Sequence, residues 1–348
     1  MSNDYLNPQI EILDGDDNVV DLDIESWTFN DGHDSSSATS ILDIHTNPFD
    51  IGAELKVYVG YGSAPKTKLF GGYVKQIEKK TPNNTYTVTA NNYIVRASDY
   101  YFVSADQNVP FSRNNIQTED LVRDVLAEAG LTNFTYDETH FLLRTGAEEG
   151  IAVSLVTAYD FCKNLANILT WHLWGDEDGL IHFENRKPYV MFGTSGTPGD
   201  STPEDADQPI GYILIDEYGI DYNYSVDEKN LRNRVVVYAG DIVAEREAES
   251  EYLPAGFRKS VLMGCTGIID DQYHADLTAR YNLAYLNRLT YGLQTTVIGN
   301  PILLPRRTLT VNSSIINDAT INGDWYIFST QHSFDKSGGY TTNMVLKR

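Results

Sequence analysis

The chain has 348 residues, of which 41% are hydrophobic, and it carries a formal net charge of −23 at pH 7. This length is enough for two or three domains with a sizeable core. The excess of acidic residues excludes a protein that grips nucleic-acid phosphates through clustered Lys and Arg, although charge alone does not determine a fold. Two cysteines, Cys162 and Cys265, are too few and too isolated for a disulfide framework or a zinc site, and they suit folding in a reducing compartment.

The N-terminal residues 1–4 lack the basic and apolar segments of a secretory signal. No apolar run approaches the ~20 residues that a membrane-spanning helix needs. We therefore expect neither a signal peptide nor a membrane anchor.

Residues 1–104 show β patterns throughout. The acidic stretch 14–18 follows one strand, and a returning strand is predicted over Val19–Ile24. The carboxylates of this stretch have the spacing of a calcium-binding loop, but Val19 stands where the sharp bend of such a loop needs Gly. The pattern favours a hairpin turn over a calcium site.

Helical patterns begin after Tyr101. An apolar stripe predicts one helix over Leu121–Ala129, ended by Gly130, and a second helix over 154–169. The Thr157–Asp160 segment is either a capping box or part of the first helical turn.

The second helix leads into a predicted β-hairpin with its turn at 175–179. His172 and His182 lie on its two strands, but no third ligand has metal-binding spacing, so strand-surface histidines are favoured over a metal pair. The segment 193–209 is rich in Gly, Ser, Thr, Pro and Asp, which predicts an exposed, mobile loop.

An acidic run precedes a third predicted helix over 270–289. A run of this kind is usually a solvated face, and the alternative is an acidic lumen or an interface. The candidate residues of that lumen or interface are Glu245, Glu247, Glu249 and Glu251.

The C-terminal region Gly299–Arg348 predicts a three-strand antiparallel meander. Apolar and polar residues alternate along it, and turn signals stand at Asn322–Asp324 and Lys336–Gly339. A meander of this size needs a partner face to bury its apolar side.

The region Gly52–Ala90 repeats the same order of strands and turns. Leu55 and Leu309 are 254 residues apart (309 − 55), and so are Tyr86 and Tyr340 (340 − 86). The equal spacing predicts a duplicated barrel-like domain, and the alternative is that any two β-meanders look alike.

Signatures of catalysis are missing from the sequence. It contains no Gly-rich phosphate loop, nucleophile elbow or His-Glu-x-x-His motif, and a chance carboxylate pair among 49 acidic residues carries no weight. We predict no catalytic residue, no cofactor and no metal ion. Two alternatives stay open: a carbohydrate-active protein with a carboxylate pair, and a carbohydrate-binding module. The residues of a sugar platform would be Trp27, Trp171, Trp174 and Trp325.

Four stretches of the chain together resemble a known family. They are Leu69–Val74 with Tyr86–Ala90, Leu121–Gly130, Leu165–Phe183, and the helix 270–289 with Gly299–Pro305 and Gly339–Tyr340. Their order is similar to that of the baseplate hub family of contractile phage tails, which includes the late-control D proteins and the hub part of type VI secretion spike proteins. Family members often have Pro-Gly where this chain has Pro305-Arg306.

The resemblance implies a mainly β, α+β fold with two tube-protein-like antiparallel β-barrels and a peripheral α+β domain. The expected domains are 1–104 for the first barrel, 105–210 for the α+β part with 245–290 packed on it, and 211–244 plus 291–348 for the second barrel. Three copies would form a homotrimer whose six barrels adapt a hexameric tail tube to a trimeric central spike.

The resemblance also implies the surroundings of the protein. Its neighbours would be the tail tube protein, the central spike protein and the baseplate wedge proteins, in a virion assembled in the host cytoplasm. DNA would pass through an acidic channel without specific binding.

Overall fold

The computed structural model describes residues 7–33, 35–82, 84–103, 111–137, 142–143, 151–169, 171–185, 211–214, 219–227, 229, 231–248, 253–265, 268–269, 271–288, 291–313 and 321–348. Within these ranges the helices are α1 (Val95–Asp99), α2 (Thr118–Glu128), α3 (Ala158–Leu169) and α4 (Gln272–Arg288). The strands of the first half of the chain are β1 (Pro8–Asp14), β2 (Ile24–Gly32), β3 (Thr39–Ile44), β4 (Glu54–Tyr61), β5 (Thr67–Lys80), β6 (Thr85–Asn92), β7 (Tyr101–Phe102), β8 (Phe111–Arg113), β9 (Ile116–Gln117), β10 (Phe134–Tyr136), β11 (Leu142–Leu143), β12 (Ile151–Val153), β13 (Val156–Thr157), β14 (Trp171–Gly175) and β15 (Ile181–Asn185). Those of the second half are β16 (Tyr212–Leu214), β17 (Gly219–Val226), β18 (Arg234–Ala239), β19 (Ile242–Glu247), β20 (Ser260–Gly264), β21 (Tyr291–Ile298), β22 (Thr308–Asn312), β23 (Gly323–Asp335) and β24 (Gly339–Lys347). None of the described helices has the length and apolar character that crossing a membrane requires.

Six N-terminal strands form one antiparallel half of a large sheet, in the order β1-β4-β5-β6-β3-β2. Apolar residues alternate with polar ones along these strands, so one face of the sheet is apolar. Side chains from all six strands meet in a single core, which includes the buried Trp27, Leu55 and Phe70. A sheet whose every strand reaches the same core curves around it, as a barrel does.

The C-terminal half repeats this arrangement in the order β16-β22-β23-β24-β21-β17. When the six strands of each half are numbered in the order in which they occur along the chain, both halves have the same spatial order: first, fourth, fifth, sixth, third, second. The halves differ in that β16 runs parallel to β22, whereas β1 runs antiparallel to β4. Trp325, Met344 and Leu346 lie in the separate core of this half. The matching strand order supports the duplication predicted from the equal spacing.

Strands β2 and β23 join the two halves into one 12-stranded sheet. They pair antiparallel from Ser26 opposite Asp335 to Gly32 opposite Ser329, with Phe29 opposite His332. The junction between the halves is therefore a hydrogen-bonded ladder within a single chain.

The helices and the remaining strands share a third core. It contains apolar residues of α2 and α3, the hairpin β14–β15, and the three-stranded sheet β19-β18-β20 with α4. This α+β region and the two sheet halves give the mainly β, α+β fold that the sequence predicted.

One segment differs from the expected domain division. Residues 234–244 were expected in the second barrel, but β18 and β19 pair with each other and with β20 instead. The reason is that Val235 and Val237 pack in the same core as the small Ala275 and Ala279 of α4. The segment between β17 and β21 is thus an insertion in the second repeat.

Two local predictions are refined. The returning strand at Val19–Ile24 is reduced to a bridge between Leu13 and Val19, and β2 begins at Ile24. The predicted hairpin turn is present. The carboxylate of Asp14 accepts hydrogen bonds from the backbone N–H groups of Asp16 and Asn18, both at 2.9 Å.

The second predicted helix begins at Ala158 rather than 154. The N–H of Asp160 donates to Thr157 Oγ1 at 3.0 Å, and the Thr157 hydroxyl donates to the Asp160 carboxylate at 2.8 Å. The Thr157–Asp160 contacts therefore cap the start of α3. The predicted loop 193–209 lies outside the described residues.

Candidate assembly surfaces and the junction between the repeats

The predicted acidic residues that the structure describes lie away from the large sheet. Glu245 and Glu247 project from β19, and each is paired with an arginine. Arg234 donates two hydrogen bonds to Glu245, at 2.7 and 2.8 Å, which lower the pKa of that carboxyl, and Arg258 donates to Glu247 at 2.9 Å. The other two candidates, Glu249 and Glu251, lie outside the described residues.

Arg306 ties three regions of the protein together, and no sequence argument had singled it out as functional. Its guanidinium donates to the backbone oxygen of Gly32 at 2.9 Å, forms an ion pair with Asp31, and lies over the Trp174 ring at 4.3 Å. The side chains of Arg306 and Asp31 are only 8% and 11% exposed. Arg306 thus links the C-terminal half of the sheet to β2 of the N-terminal half and to the α+β region.

The backbone of Arg306 explains the departure from the Pro-Gly pattern. Its φ is +68°, in the left-handed region that glycine adopts at little cost and other residues adopt with strain. The sequence signal for this junction was therefore the residue after Pro305. An arginine at a position suited to glycine is strained, so a contact of its side chain is needed to offset the strain. Asp31 supplies that contact.

Trp174, which lies beneath Arg306, also contacts β15 through His182. The His182 ring stacks on it, with centroids 4.1 Å apart, and donates hydrogen bonds from Nε2 to Asp176 at 3.0 Å and from Nδ1 to Glu184 at 2.7 Å. Burial alone would lower the pKa of His182, but the two carboxylates outweigh it and raise the pKa to about 9. Within the described residues, no group of three or more His, Cys, Asp or Glu is placed to hold a metal ion.

The hairpin turn before β15 packs directly on β5. A Cβ at Gly71 would overlap the backbone oxygen of Glu177. The Gly71 position in the Leu69–Val74 motif is therefore required by the close approach of the α+β region to the sheet.

The four tryptophans do not form the sugar platform considered above. Trp27 and Trp325 are fully buried and Trp171 is 7% exposed. Trp174 is in contact with Arg306 and His182.

His332 is a buried polar group where the two halves meet. Its Nε2 donates to the backbone oxygen of Leu303 at 3.0 Å, which leaves Nδ1 to accept the Tyr340 hydroxyl at 2.7 Å. Burial lowers the pKa of His332 to about 4, so the ring is neutral at physiological pH.

Strands β17 and β5 have open edges among the described residues, and the outer strands β1 and β16 of the large sheet likewise pair with one described strand each. Strand β17 pairs with β21 on one side, and no described strand lies along its other side. Strand β5 pairs with β4 as far as Tyr73, and beyond it residues 75–80 pair with β6 alone. In the second repeat, the corresponding part of β23 is paired on both sides, by β24 and β2.

The two open edges have complementary side chains. On β17, the side chains of Ile220, Tyr222 and Val226 are 61%, 39% and 44% exposed. The open part of β5 carries Lys75, Lys79, Lys80 and Glu78 around Ile77, which gives it a net positive charge, whereas β17 carries Asp221 and is followed by Asp227. Within the chain, Lys75 pairs with Asp99 and Lys80 with Asp43. One edge is thus apolar and acidic, and the other is basic.

Over the six strands β6, β3, β2, β23, β24 and β21, the face of the large sheet opposite the cores carries mainly hydroxyl and amide side chains. One cross-strand row runs over six neighbouring strands in the order Asn91, Thr39, Asn30, Gln331, Asn343 and Thr296. The adjacent row on the same strands consists of Thr89, Ile41, Thr28, Ser333, Thr341 and Ile298. The sequence signal for this polar face is the period-2 alternation of Ser, Thr and Asn in β2, β6 and β24.

Comparison with known proteins identifies the fold. The sequence matches no family model and no curated protein. Among solved structures, the chain is similar to the tail protein from Neisseria meningitidis MC58, with a TM-score of 0.67, 12% identity, and coverage of 98% of this chain and 96% of that one. It is also similar to the 43 kDa tail protein of prophage MuSo2 from Shewanella oneidensis, with a TM-score of 0.66, 12% identity and 97% coverage of both chains.

A third similar structure comes from a secretion system. It is the E. coli c3393 protein, described as a component of the type VI secretion system with structural similarity to the T4 tail proteins gp27 and gp5. The TM-score is 0.57 at 9% identity, with coverage of 97% of this chain and 76% of that one. The chain therefore has the fold of these two tail proteins and of this type VI secretion system component, in agreement with the resemblance of its motifs.

Proposed function

We propose that this protein is a structural hub of a phage tail baseplate. Three copies associate head to tail into a closed ring, in which six barrel-like halves alternate around the axis. Such a ring adapts a hexameric tail tube on one side to a trimeric central spike on the other, with baseplate wedge proteins around it. The similarity to tail and spike proteins supports this role.

One observation carries the proposal. The strand pair that joins the two repeats within the chain has an equivalent pair of strands that do not pair with each other within the chain. The second strand of the first repeat, β2, pairs with the fifth strand of the second, β23. The matching second strand of the second repeat is β17 and the matching fifth strand of the first is β5, and both have open edges among the described residues. Pairing β17 with β5 of the next copy continues the sheet in the same sense and covers both of these open edges when the ring closes.

The register of that contact follows from the repeat. Gln76 pairs with Thr89 as Gln331 pairs with Asn343, so Ile77 takes the place of His332. Tyr222 likewise takes the place of Phe29, because Asp221 and Thr28 have matching partners in the two halves. Since Phe29 lies opposite His332, Tyr222 is expected opposite Ile77 of the neighbouring copy.

Disulfide trapping tests this contact. Cys162 and Cys265 are both buried, and burial raises the pKa of the Cys265 thiol to about 11, so engineered cysteines are expected to react selectively. The pair Tyr222→Cys and Ile77→Cys is expected to form covalent dimers and trimers under mild oxidation. The matched control is Tyr238→Cys with Ile77→Cys, because Tyr238 is exposed to 41% but lies on β18.

The mass in solution tests the ring itself. Light scattering across a dilution series is expected to show a species near three times 39.0 kDa, either for the protein alone or once a spike partner is added. A monomer that stays indifferent to tube and spike proteins would rule out the hub. In the proposed virion the ring surrounds a channel through which DNA leaves the particle.

A further inference from the structure

We propose that the hydroxyl and amide face of the large sheet is the wall of the channel, and that this wall is essentially uncharged. The inference rests on the proposed ring and adds which residues face the passing nucleic acid. It replaces the acidic lumen predicted from the sequence with a neutral one.

The position of this face follows from the sheet. Its opposite face is buried in the two hydrophobic cores, so the cores occupy one side of the continuous ribbon. In a ring closed by β17 and β5, the ribbon runs without interruption around the axis. The polar face of β6, β3, β2, β23, β24 and β21 is then the surface that can line a common channel. The α+β hairpin meets the same face of the sheet at its margin on β5, where Glu177 approaches Gly71 and Asp178 pairs with Lys68.

The side chains on this face satisfy one another. Gln331 Nε2 donates to Asn30 Oδ1 at 3.0 Å, and the Nδ2 groups of Asn91 and Asn343 donate to Thr39 Oγ1 and Thr296 Oγ1, both at 3.4 Å. Each of these bonds joins residues directly opposite each other on neighbouring strands. The contacts hold the amides along the sheet, so fewer free donors are presented to a molecule that passes over it.

Charge is displaced to one margin of the face. The next cross-strand row contains Asp43, Asp335 and Glu78, together with Ser26 and Thr87. Lys80 lies 3.0 Å from Asp43, so part of this acidic margin is neutralised. Over these six strands the two rows contain no Lys, Arg, Asp or Glu and no aromatic residue. Beyond them, the first row continues to Asp221 on β17, opposite Thr296, and to Tyr73 on β5, opposite Asn91.

This chemistry suits a conduit for a polyanion. Lysines or arginines on the wall would bind phosphates by releasing counterions, and aromatic rings would stack on exposed bases. A wall of carboxylates would place a repulsive potential along the path. Hydroxyls and mutually bonded amides do neither, so DNA can move along the wall without being held or excluded.

The test uses lysine substitutions in the assembled ring. Thr28→Lys and Asn343→Lys are two independent variants on the proposed wall, and Ser260→Lys is the control on the exposed strand β20. Binding of a short fluorescein-labelled DNA duplex is measured at low salt by anisotropy. We expect no binding by the unmodified ring and a gain of at least about tenfold for either wall variant over the control, because three lysines then converge on one channel.

Cysteine accessibility gives a second, charge-independent readout. Thr28→Cys and Ser260→Cys are labelled with a bulky polyethylene-glycol maleimide before and after assembly. We expect the labelling rate of Thr28→Cys to fall at least about tenfold on assembly, while Ser260→Cys is unchanged. A ring of normal mass whose Thr28→Cys stays fully reactive, and whose lysine variants bind DNA no better than the control, would overturn the wall assignment alone. A protein that forms no ring, seen by light scattering of the same samples, would overturn the proposed function as well.

Discussion

The two repeats have the same strand order but different exposed edges. In the N-terminal repeat, β2 is paired on both sides and the end of β5 is open, whereas in the C-terminal repeat β23 is paired on both sides and β17 is open. One junction between repeats is therefore formed within the chain, whereas the strands of the matching junction have open edges. Duplication of a barrel can thus leave a matched pair of open edges, one in each repeat, of the kind that the proposed head-to-tail assembly needs.

The internal junction also differs from the open one in its buried polar groups. Asp31 and Arg306 form a nearly buried ion pair there, and His332 is neutral and hydrogen-bonded inside. At the open edge, the place of His332 is taken by Ile77, so the contact between copies is expected to be more apolar. Four substitutions can break or sharpen this comparison, and they follow in order of expected effect on the free energy of unfolding.

Arg306→Ala is expected to cost the most. It leaves the Asp31 carboxylate buried without its partner, which typically lowers the free energy of unfolding by about 3–5 kcal/mol. Arg306→Gly is the informative control, because glycine removes the strain of the positive φ and is expected to be about 1 kcal/mol less destabilising than alanine. Urea denaturation measures both, and equal stability of the wild type and Arg306→Ala would contradict the role of the pair.

The buried His332 predicts a loss of stability in acid. Its pKa is lowered to about 4 in the folded protein, so between pH 6.5 and pH 4 the unfolded chain binds a proton that the folded chain refuses. Unfolding therefore becomes easier as pH falls through this window, by up to about 3 kcal/mol. His332→Ile places the residue of the other repeat at this site, and its unfolding free energy is expected to change less over the same window. Parallel pH profiles for the two proteins would show that His332 is not the titrating group.

Thr157→Ala tests the α+β region separately from both repeats. Removing the hydroxyl that caps α3 is expected to lower the free energy of unfolding by about 1 kcal/mol. Thr157→Ser keeps the hydroxyl and serves as the control. The mass of the assembled ring is expected to be the same for both variants, since the cap is remote from the two open edges.

Tyr222→Lys is expected to change folding least and assembly most. The side chain is 39% exposed in the single chain, so the free energy of unfolding should change by no more than about 0.5 kcal/mol. In the ring, the new charge would face Ile77 between Lys75 and Lys79 of the neighbouring copy, which disfavours the contact. Light scattering is expected to show monomers for Tyr222→Lys and unchanged assembly for Tyr238→Lys, and an intact trimer in both would place the contact elsewhere.

Local features of the molecule were determined by the sequence alone. The alternation of apolar and polar residues predicted the strands of both meanders, and the equal spacing of Leu55–Leu309 and Tyr86–Tyr340 predicted the repeat. The Thr157–Asp160 cap and the end of α2 before Gly130 depend on neighbouring residues, so they were also readable, whereas α2 begins at Thr118, before the predicted stripe at Leu121. The helix and strand signals are local because the periodicity of apolar residues within a short segment is enough to indicate the element.

Only the tertiary structure decided which strands pair across the chain. The β2–β23 ladder, the Asp31–Arg306 contact and the separate sheet of β18, β19 and β20 all join segments whose patterns suit several partners. An amphipathic strand specifies that one face is buried, but not against which element, and Val235 and Val237 would have suited either core. The choice was made by packing, because Val235 and Val237 share their core with the small alanines Ala275 and Ala279 of α4.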